Sequence, residues 1–151
     1  MALTTGELNE NDFRPVVIKK TQAVCVFALS HTLRDEPMIN FSMLAGESLL
    51  SIDETDEFTI NIKAQLLKHG LPVEFAVQTT SSITVCALVA TGTGVGIVNP
   101  CVASAFSKQL LIKPLNPSIG IPVQMFMPIH TAPSLLTRNF IEMLVEKIKC
   151  N

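Results

Sequence analysis

Residues 49–98 read LLSIDETDEFTINIKAQLLKHGLPVEFAVQTTSSITVCALVATGTGVGIV, and the order of patterns within this stretch decides the fold. Leu49 to Ile52 is a short apolar run of strand length. Asp56 to His69 has helical spacing and stops at Gly70, with Pro72 just beyond. Val73 to Val77 predicts a second strand, Thr79 to Ser82 opens a helix running to Thr91, and Val95 to Val98 is a buried strand. Asn99-Pro100 starts a short helix through Phe106, and Leu110 to Lys113 supplies a further strand. Strands alternating with helices are the signature of an open α/β sheet with crossover helices, because parallel neighbours need a connection that climbs over a sheet face.

Working outward, Ala2 to Thr5 is a strand-like run closed by Gly6 and the polar loop Glu7 to Asp12. Val16 to Lys19 and Val24 to Leu29 predict two strands, His31 to Pro37 a turn, and Phe41 to Ala45 a single helical turn. On the other side, Pro114, Pro117, Gly120 and Pro122 punctuate a linker that reads as a hinge between two lobes. Val123 to Met127 is a strand, and Pro133-Ser134 begins a last helix ending near Ile148, with Leu136, Phe140, Met143 and Leu144 on its expected buried side. On a helical wheel the Asp56 to His69 segment has one apolar stripe of Phe58, Ile62 and Leu66 and a second of Ile60, Ala64 and Leu67. A helix lying on a sheet needs only one; the other is either wrapped by the chain's own core or a subunit interface.

Composition narrows the function. Of 151 residues, 48% are apolar and 16% charged, enough to build a core, and the net charge is only −2. No basic stripe is present beyond Lys19-Lys20, so this chain is not expected to grip nucleic acid through its own surface. Trp and Tyr are absent, which leaves stacking platforms to eight Phe, most of them at core-like positions. The start, MALTTGELNENDF, has neither a basic stretch nor an apolar segment typical of a signal peptide, and no apolar run reaches the roughly 20 residues that span a bilayer. A cytoplasmic protein with no membrane partner is expected. Cys25, Cys86, Cys101 and Cys150 form no CxxC, and three lie in apolar runs, as small buried hydrophobes in a reducing compartment do.

Few residues invite chemistry. Gly92, Gly94 and Gly96 close a helix and precede a strand, the reverse of a phosphate-binding loop, and no P-loop Lys follows. Ser48 lacks the second glycine of a nucleophile elbow, and His31, His69 and His130 have no metal-ligand spacing. Asp53, Glu54, Asp56 and Glu57 precede and open a helix, where they favour its dipole, and no partner for acid/base work is evident. No enzyme, cofactor or metal is therefore expected. Thr79, Thr80, Ser81 and Ser82 differ, because they cluster hydroxyls at a strand's carboxyl end and a helix N-terminus, where open α/β sheets bind ligands. Hydroxyls and free N–H groups there suit a carboxylate; simple N-capping by Thr80 or Ser81 is the alternative. Thr4 and Thr5 supply hydroxyls at another strand end.

Read in succession, several stretches resemble one family. Leu29-Ser30-His31-Thr32-Leu33, with Phe41-Ser42-Met43-Leu44-Ala45-Gly46-Glu47, resembles a passage of LysR-type transcriptional regulators. Residues 82–100, SITVCALVATGTGVGIVNP, resemble that family's "s.tv..lVaaGlGvaivP" signature. Leu115-Asn116-Pro117 through Met127-Pro128, then Ser134-Leu135-Leu136 and Phe140-Ile141-Glu142, resemble its closing segment. The resemblance implies an α/β fold of two lobes, similar to type 2 periplasmic binding proteins, with open sheets, crossover helices and an incomplete first lobe. Residues 1–43 and 123–149 would belong to that first lobe, 44–116 to the second, and 117–122 to the hinge. The winged helix-turn-helix would be missing, so DNA binding would belong to a part absent from this chain. The implied function is an effector-sensing domain that binds a small carboxylate or amino-acid-like metabolite in the cleft between lobes and controls a dimer or tetramer. By resemblance the effector contacts are Thr79, Thr80, Ser81 and Ser82, with Thr4 or Thr5 from the first lobe and also Asn99 or Pro100. The Cys25 strand and Ser134-Leu135-Leu136 are similar to regulators of opine and amino-acid catabolism. The alternative is a stand-alone solute-binding protein of the same fold.

Overall fold

A computed structural model describes residues 2–4, 13–130 and 132–149. Along the chain run β1 (Ala2–Thr4), β2 (Phe13–Gln22), β3 (Val24–Ala28), β4 (Ile39–Asn40), β5 (Leu49–Ile52), α1 (Glu57–Lys68), β6 (Val77–Thr79) and α2 (Ser82–Ala90). Then come β7 (Val95–Val98), α3 (Pro100–Ser104), β8 (Leu110–Asn116), β9 (Gly120–Pro128) and α4 (Leu135–Lys149). Short 3-10 turns occupy Thr32–Asp35 and Phe41–Leu44. Two units divide these elements: Met1–Thr21 with Ile121–Asn151, and Gln22–Gly120.

The larger unit carries a six-stranded sheet in the order β4-β8-β3-β7-β5-β6. β5 runs parallel to β6, with Ile52 opposite Thr79, and parallel to β7, with Leu50 opposite Gly96. β3 is antiparallel to both β7 and β8. The expected α/β alternation is therefore present, with an antiparallel strand set into the sheet. From β5 the chain steps outward to β6 through α1, then back past β5 to β7 through α2. Right-handed crossovers in opposite directions place α1 and α2 on opposite faces.

Alternation along β3 feeds both faces. Val26 joins Leu50, Val85, Cys86, Val89 and Val98 in one apolar cluster. Its neighbours Cys25 and Phe27, also sealed from solvent, point to the other face. Asp56 caps α1 by accepting from the Phe58 and Thr59 N–H groups. The buried residues of α1 are Thr59, Ile62 and Leu66, while Phe58 is half-buried. Thr59 escaped the hydrophobic pattern because its hydroxyl is satisfied locally: it meets the Ser51 hydroxyl at 3.2 Å, joining the first turn of α1 to β5.

Three expectations need correction here. β6 begins at Val77, not Val73; pairing with β5 is first established where Ala76 N–H donates to Leu49 C=O at 2.8 Å, and the preceding run contains Pro72, which has no N–H to give. β8 continues through Pro114 to Asn116, and β9 contains Pro122. Pro114 is accommodated because β4 pairs with β8 only from Leu115 onward, so Pro114 has a neighbour on one side alone. Cys101, finally, is exposed, whereas Cys25 and Cys86 are buried and burial pushes both of their thiols up in pKa.

The smaller unit has a three-stranded sheet, β1-β9-β2, in which β1 is antiparallel to β9 with Thr4 opposite Gln124. Consecutive Met125 and Phe126 on the central strand are both buried, so both faces of β9 are covered there. α4 departs from expectation. Leu136, Phe140 and Met143, taken from the wheel as its buried side, are 80%, 50% and 70% exposed, and Leu144 is half-buried. Periodicity says which side chains share a face; it does not supply the surface that covers them.

Candidate functional site

β5, β6 and β7 of the larger unit point the same way and end on one edge of its sheet, at Ile52, Thr79 and Val98. Each end is followed by a turn into a helix, so the edge collects the N-termini of α1, α2 and α3. The first N–H groups of a helix have no intrahelical acceptor, which makes such an edge a place for acceptor ligands.

The hydroxyls at this edge divide into two sets. Thr79 Oγ1 is turned onto its own chain, donating to Ser81 C=O at 2.9 Å and accepting from Ser81 N–H at 3.2 Å. Ser81 is the N-cap of α2, its Oγ accepting from Ile83 N–H at 3.2 Å. Asn99 caps α3 in the same way, accepting from Cys101 N–H at 2.9 Å, with Pro100 at the first helical position where its fixed φ fits. Thr80 and Ser82 remain: Thr80 is exposed, Ser82 half-buried, and neither hydroxyl has a hydrogen-bond partner among the described residues. Capping thus falls to Ser81, as one reading of the sequence allowed, and the uncommitted hydroxyls flank it.

Register adds a group that sequence reasoning had assigned to the helix dipole alone. Ile52 lies opposite Thr79, the last pair of the β5–β6 register, and Asp53 and Thr80 are the residues that follow on the two strands. Asp53 is exposed; one carboxylate oxygen accepts from the Thr55 hydroxyl at 2.6 Å and the Thr55 N–H at 2.8 Å, and these bonds hold the carboxyl below its usual pKa. Glu54 accepts from Lys63 Nζ at 2.8 Å and from Gln78 Nε2 at 2.9 Å, and both bonds lower its pKa. Lys63, which also lies over the Phe75 ring, is thereby tied to Glu54. What this edge offers is hydroxyls, helix N–H groups and a fixed carboxylate.

Two predicted contacts belong elsewhere in the chain. Thr4 ends β1 in the smaller unit, and Thr5 lies outside the described residues. Among the described residues no group of three or more His, Cys, Asp or Glu is placed to hold a metal ion, and no helix is long and apolar enough to cross a membrane.

A family model described as "LysR substrate binding domain" matches residues 1–149. The Transcriptional activator protein LysR of Escherichia coli (strain K12) is 26% identical over 118 residues, 78% of this chain and 38% of that protein. The chain spans less than half the length of the curated relatives it matches. Among solved structures, the effector binding domain of QuiR in complex with shikimate superposes with a TM-score of 0.80 at 16% identity, covering 99% of this chain and 71% of that one. The CcmR regulatory domain of Synechocystis PCC6803 in complex with 2-PG gives 0.79 at 14% identity, over 95% and 71%. These regulatory domains have the type 2 periplasmic-binding-protein-like fold.

Proposed function

The chain belongs to the LysR substrate-binding domain family, a family of transcription regulators and not of enzymes, and on that footing we propose that it senses a small carboxylate or amino-acid-like effector at the edge formed by Thr79 to Ser82. The observation that carries this reading is the pair of uncommitted hydroxyls, Thr80 and Ser82, beside the N-terminus of α2. A ligand carboxylate there accepts from hydroxyls and first-turn N–H groups, with the helix dipole adding about 0.3–1 kcal/mol. Asp53, which follows the Ile52–Thr79 pair at the end of β5, supplies a counter-charge for a ligand ammonium, which favours an amino acid or opine over a simple dicarboxylate. Asn99 and Pro100 border the same edge. Thr4 and Thr5 are proposed as further contacts on the family resemblance alone. The matched relatives that bind shikimate and 2-PG support a small-metabolite effector. Such a regulator works in the cytoplasm, and DNA binding is assigned to a helix-turn-helix outside this chain. Ligand acts on the regulator only through its different affinities for the two arrangements of the assembly.

Calorimetric titration with amino acids, opines and small dicarboxylates tests the site. Thr80→Ala and Ser82→Ala are each expected to weaken the saturating ligand roughly tenfold, one hydrogen bond's worth, while leaving the ligand-free melting temperature unchanged. Ser81→Ala instead loses about 1 kcal/mol of stability even without ligand, because it removes a cap. A saturating ligand indifferent to Thr80→Ala and Ser82→Ala puts the site elsewhere.

We further propose that the outer face of α1 is where copies of the regulator meet. Ile60 and Leu67 are 52% and 69% exposed and Ala64 is exposed beside them, so among the described residues this second stripe is not wrapped by the chain's own core. Leu67→Lys is expected to shift the sedimentation profile from dimer to monomer with an unchanged circular dichroism spectrum. An unaltered mass distribution removes α1 from the interface.

A further inference from the structure

A second cavity lies within the larger unit, between α1 and the segment that follows β8. Asn61 and Gln65 stand one turn apart on α1 and face the segment Ser118–Ile119–Gly120 across a cavity of about 230 Å³. At roughly 30 Å³ per water, this holds several waters or one small organic molecule. Its lining is made of two carboxamides, a hydroxyl, one apolar side chain and main chain, with no charged residue among them. The Ile119 carbonyl is already occupied, accepting from Ala23 N–H at 2.8 Å.

Gln65 is the anomaly. Its Oε1 is sealed from solvent and receives no hydrogen bond among the described residues. A buried amide oxygen without a donor is a standing penalty that folded proteins mostly avoid, and where one persists a ligand or a bound water usually accounts for it. Because Gln65 lines the cavity, a small rotation of its amide hands that oxygen to a donor held there.

The geometry points to a second small-molecule site at Asn61, Gln65 and Ser118–Gly120, taking a neutral, planar N–H donor of the primary amide or urea class. The missing partner is a donor, which excludes ligands that only accept. The absence of a charged group from the lining leaves a carboxylate or ammonium without its counter-ion once desolvated. Two amides one helical turn apart, each with an acceptor and a donor end, match a flat ligand that presents both.

Amide-detected NMR titration of the whole chain tests this, using acetamide and N-methylurea as probes and acetate as the isosteric acceptor-only control. Acetamide and N-methylurea are expected to give saturable shifts at the Asn61 and Gln65 side-chain amides and the Ser118 to Gly120 main chain, and acetate none there. Gln65→Leu is expected to weaken acetamide roughly 3- to 10-fold, the range for one hydrogen bond. Asn61→Ala, at an exposed position, gives a second readout should Gln65→Leu perturb α1. Thr80→Ala is expected to leave these shifts unchanged, which separates this site from the effector edge. Unsaturable shifts, an equal response to acetate, or affinity unaltered in both Gln65→Leu and Asn61→Ala would overturn the assignment.

Discussion

Gly94→Ala is expected to destabilise the larger unit by about 3 kcal/mol, at the upper end of what overpacking costs. A β-carbon at Gly94 falls inside the radius of the Ser48 carbonyl oxygen and 2.6 Å from Leu50 Cδ1. No rotamer change relieves an overlap with main chain, so β7 must move away from the segment leading into β5. That movement strains the hydrogen bond from Val95 N–H to Ser48 C=O, 2.9 Å long, with which the β5–β7 pairing starts. The far ends of these two strands carry Asp53 and Asn99, so weakened effector binding should accompany the stability loss. Gly92 is the instructive contrast. Its φ of +82° closes α2 in the left-handed region, with open space where a side chain would go. Gly92→Asn is therefore expected to stay within about 1 kcal/mol, since Asn tolerates that conformation. Urea denaturation of both variants settles the comparison: Gly94→Ala tolerated as well as Gly92→Asn would mean that β7 does not press against Ser48.

Phe27→Ala should be the most damaging single change, lowering the unfolding free energy by about 3–5 kcal/mol. Phe27 is fully buried on β3, a strand paired on both sides by β7 and β8, so the sheet cannot readily collapse into the space left. Its ring packs 4.8 Å, centroid to centroid, from His31, whose Nδ1 accepts from Leu33 N–H at 3.2 Å and whose Nε2 lies 3.4 Å from Glu47. Losing the ring removes the support of that imidazole together with the buried area. Phe27→Leu keeps most of the volume and should cost about half as much or less. A loss below about 1 kcal/mol for Phe27→Ala would show that the face of the sheet opposite α2 is loosely filled. Chemical denaturation at equilibrium gives the number, provided the slope against denaturant stays that of the parent chain.

The sequence by itself determined the order of elements from Leu49 onward, the limits of α1 and α2, and the class of the fold. Those limits depend on local chemistry: Asp56 and Ser81 cap the helix starts, and Gly70 and Gly92 end them with φ of +68° and +82°. Each of these signals acts within about one helical turn, which is why it survives translation from string to structure. The hydroxyl cluster at Thr79 to Ser82 was legible for the same reason, as a strand end meeting a helix start. Tertiary structure alone decided which hydroxyls are uncommitted, because that depends on where Ser81 and Thr79 turn their oxygens. It decided that Ile52 pairs with Thr79, which brings the ends of two strands 27 residues apart together ahead of Asp53 and Thr80, and that β6 starts only where β5 offers it a partner. It decided also that Gly94 is small because Ser48 presses on it, that Thr59 is core because Ser51 answers its hydroxyl, and that the apolar side of α4 is exposed. Periodicity records which residues share a face; what lies against that face is fixed only by chain distant in sequence.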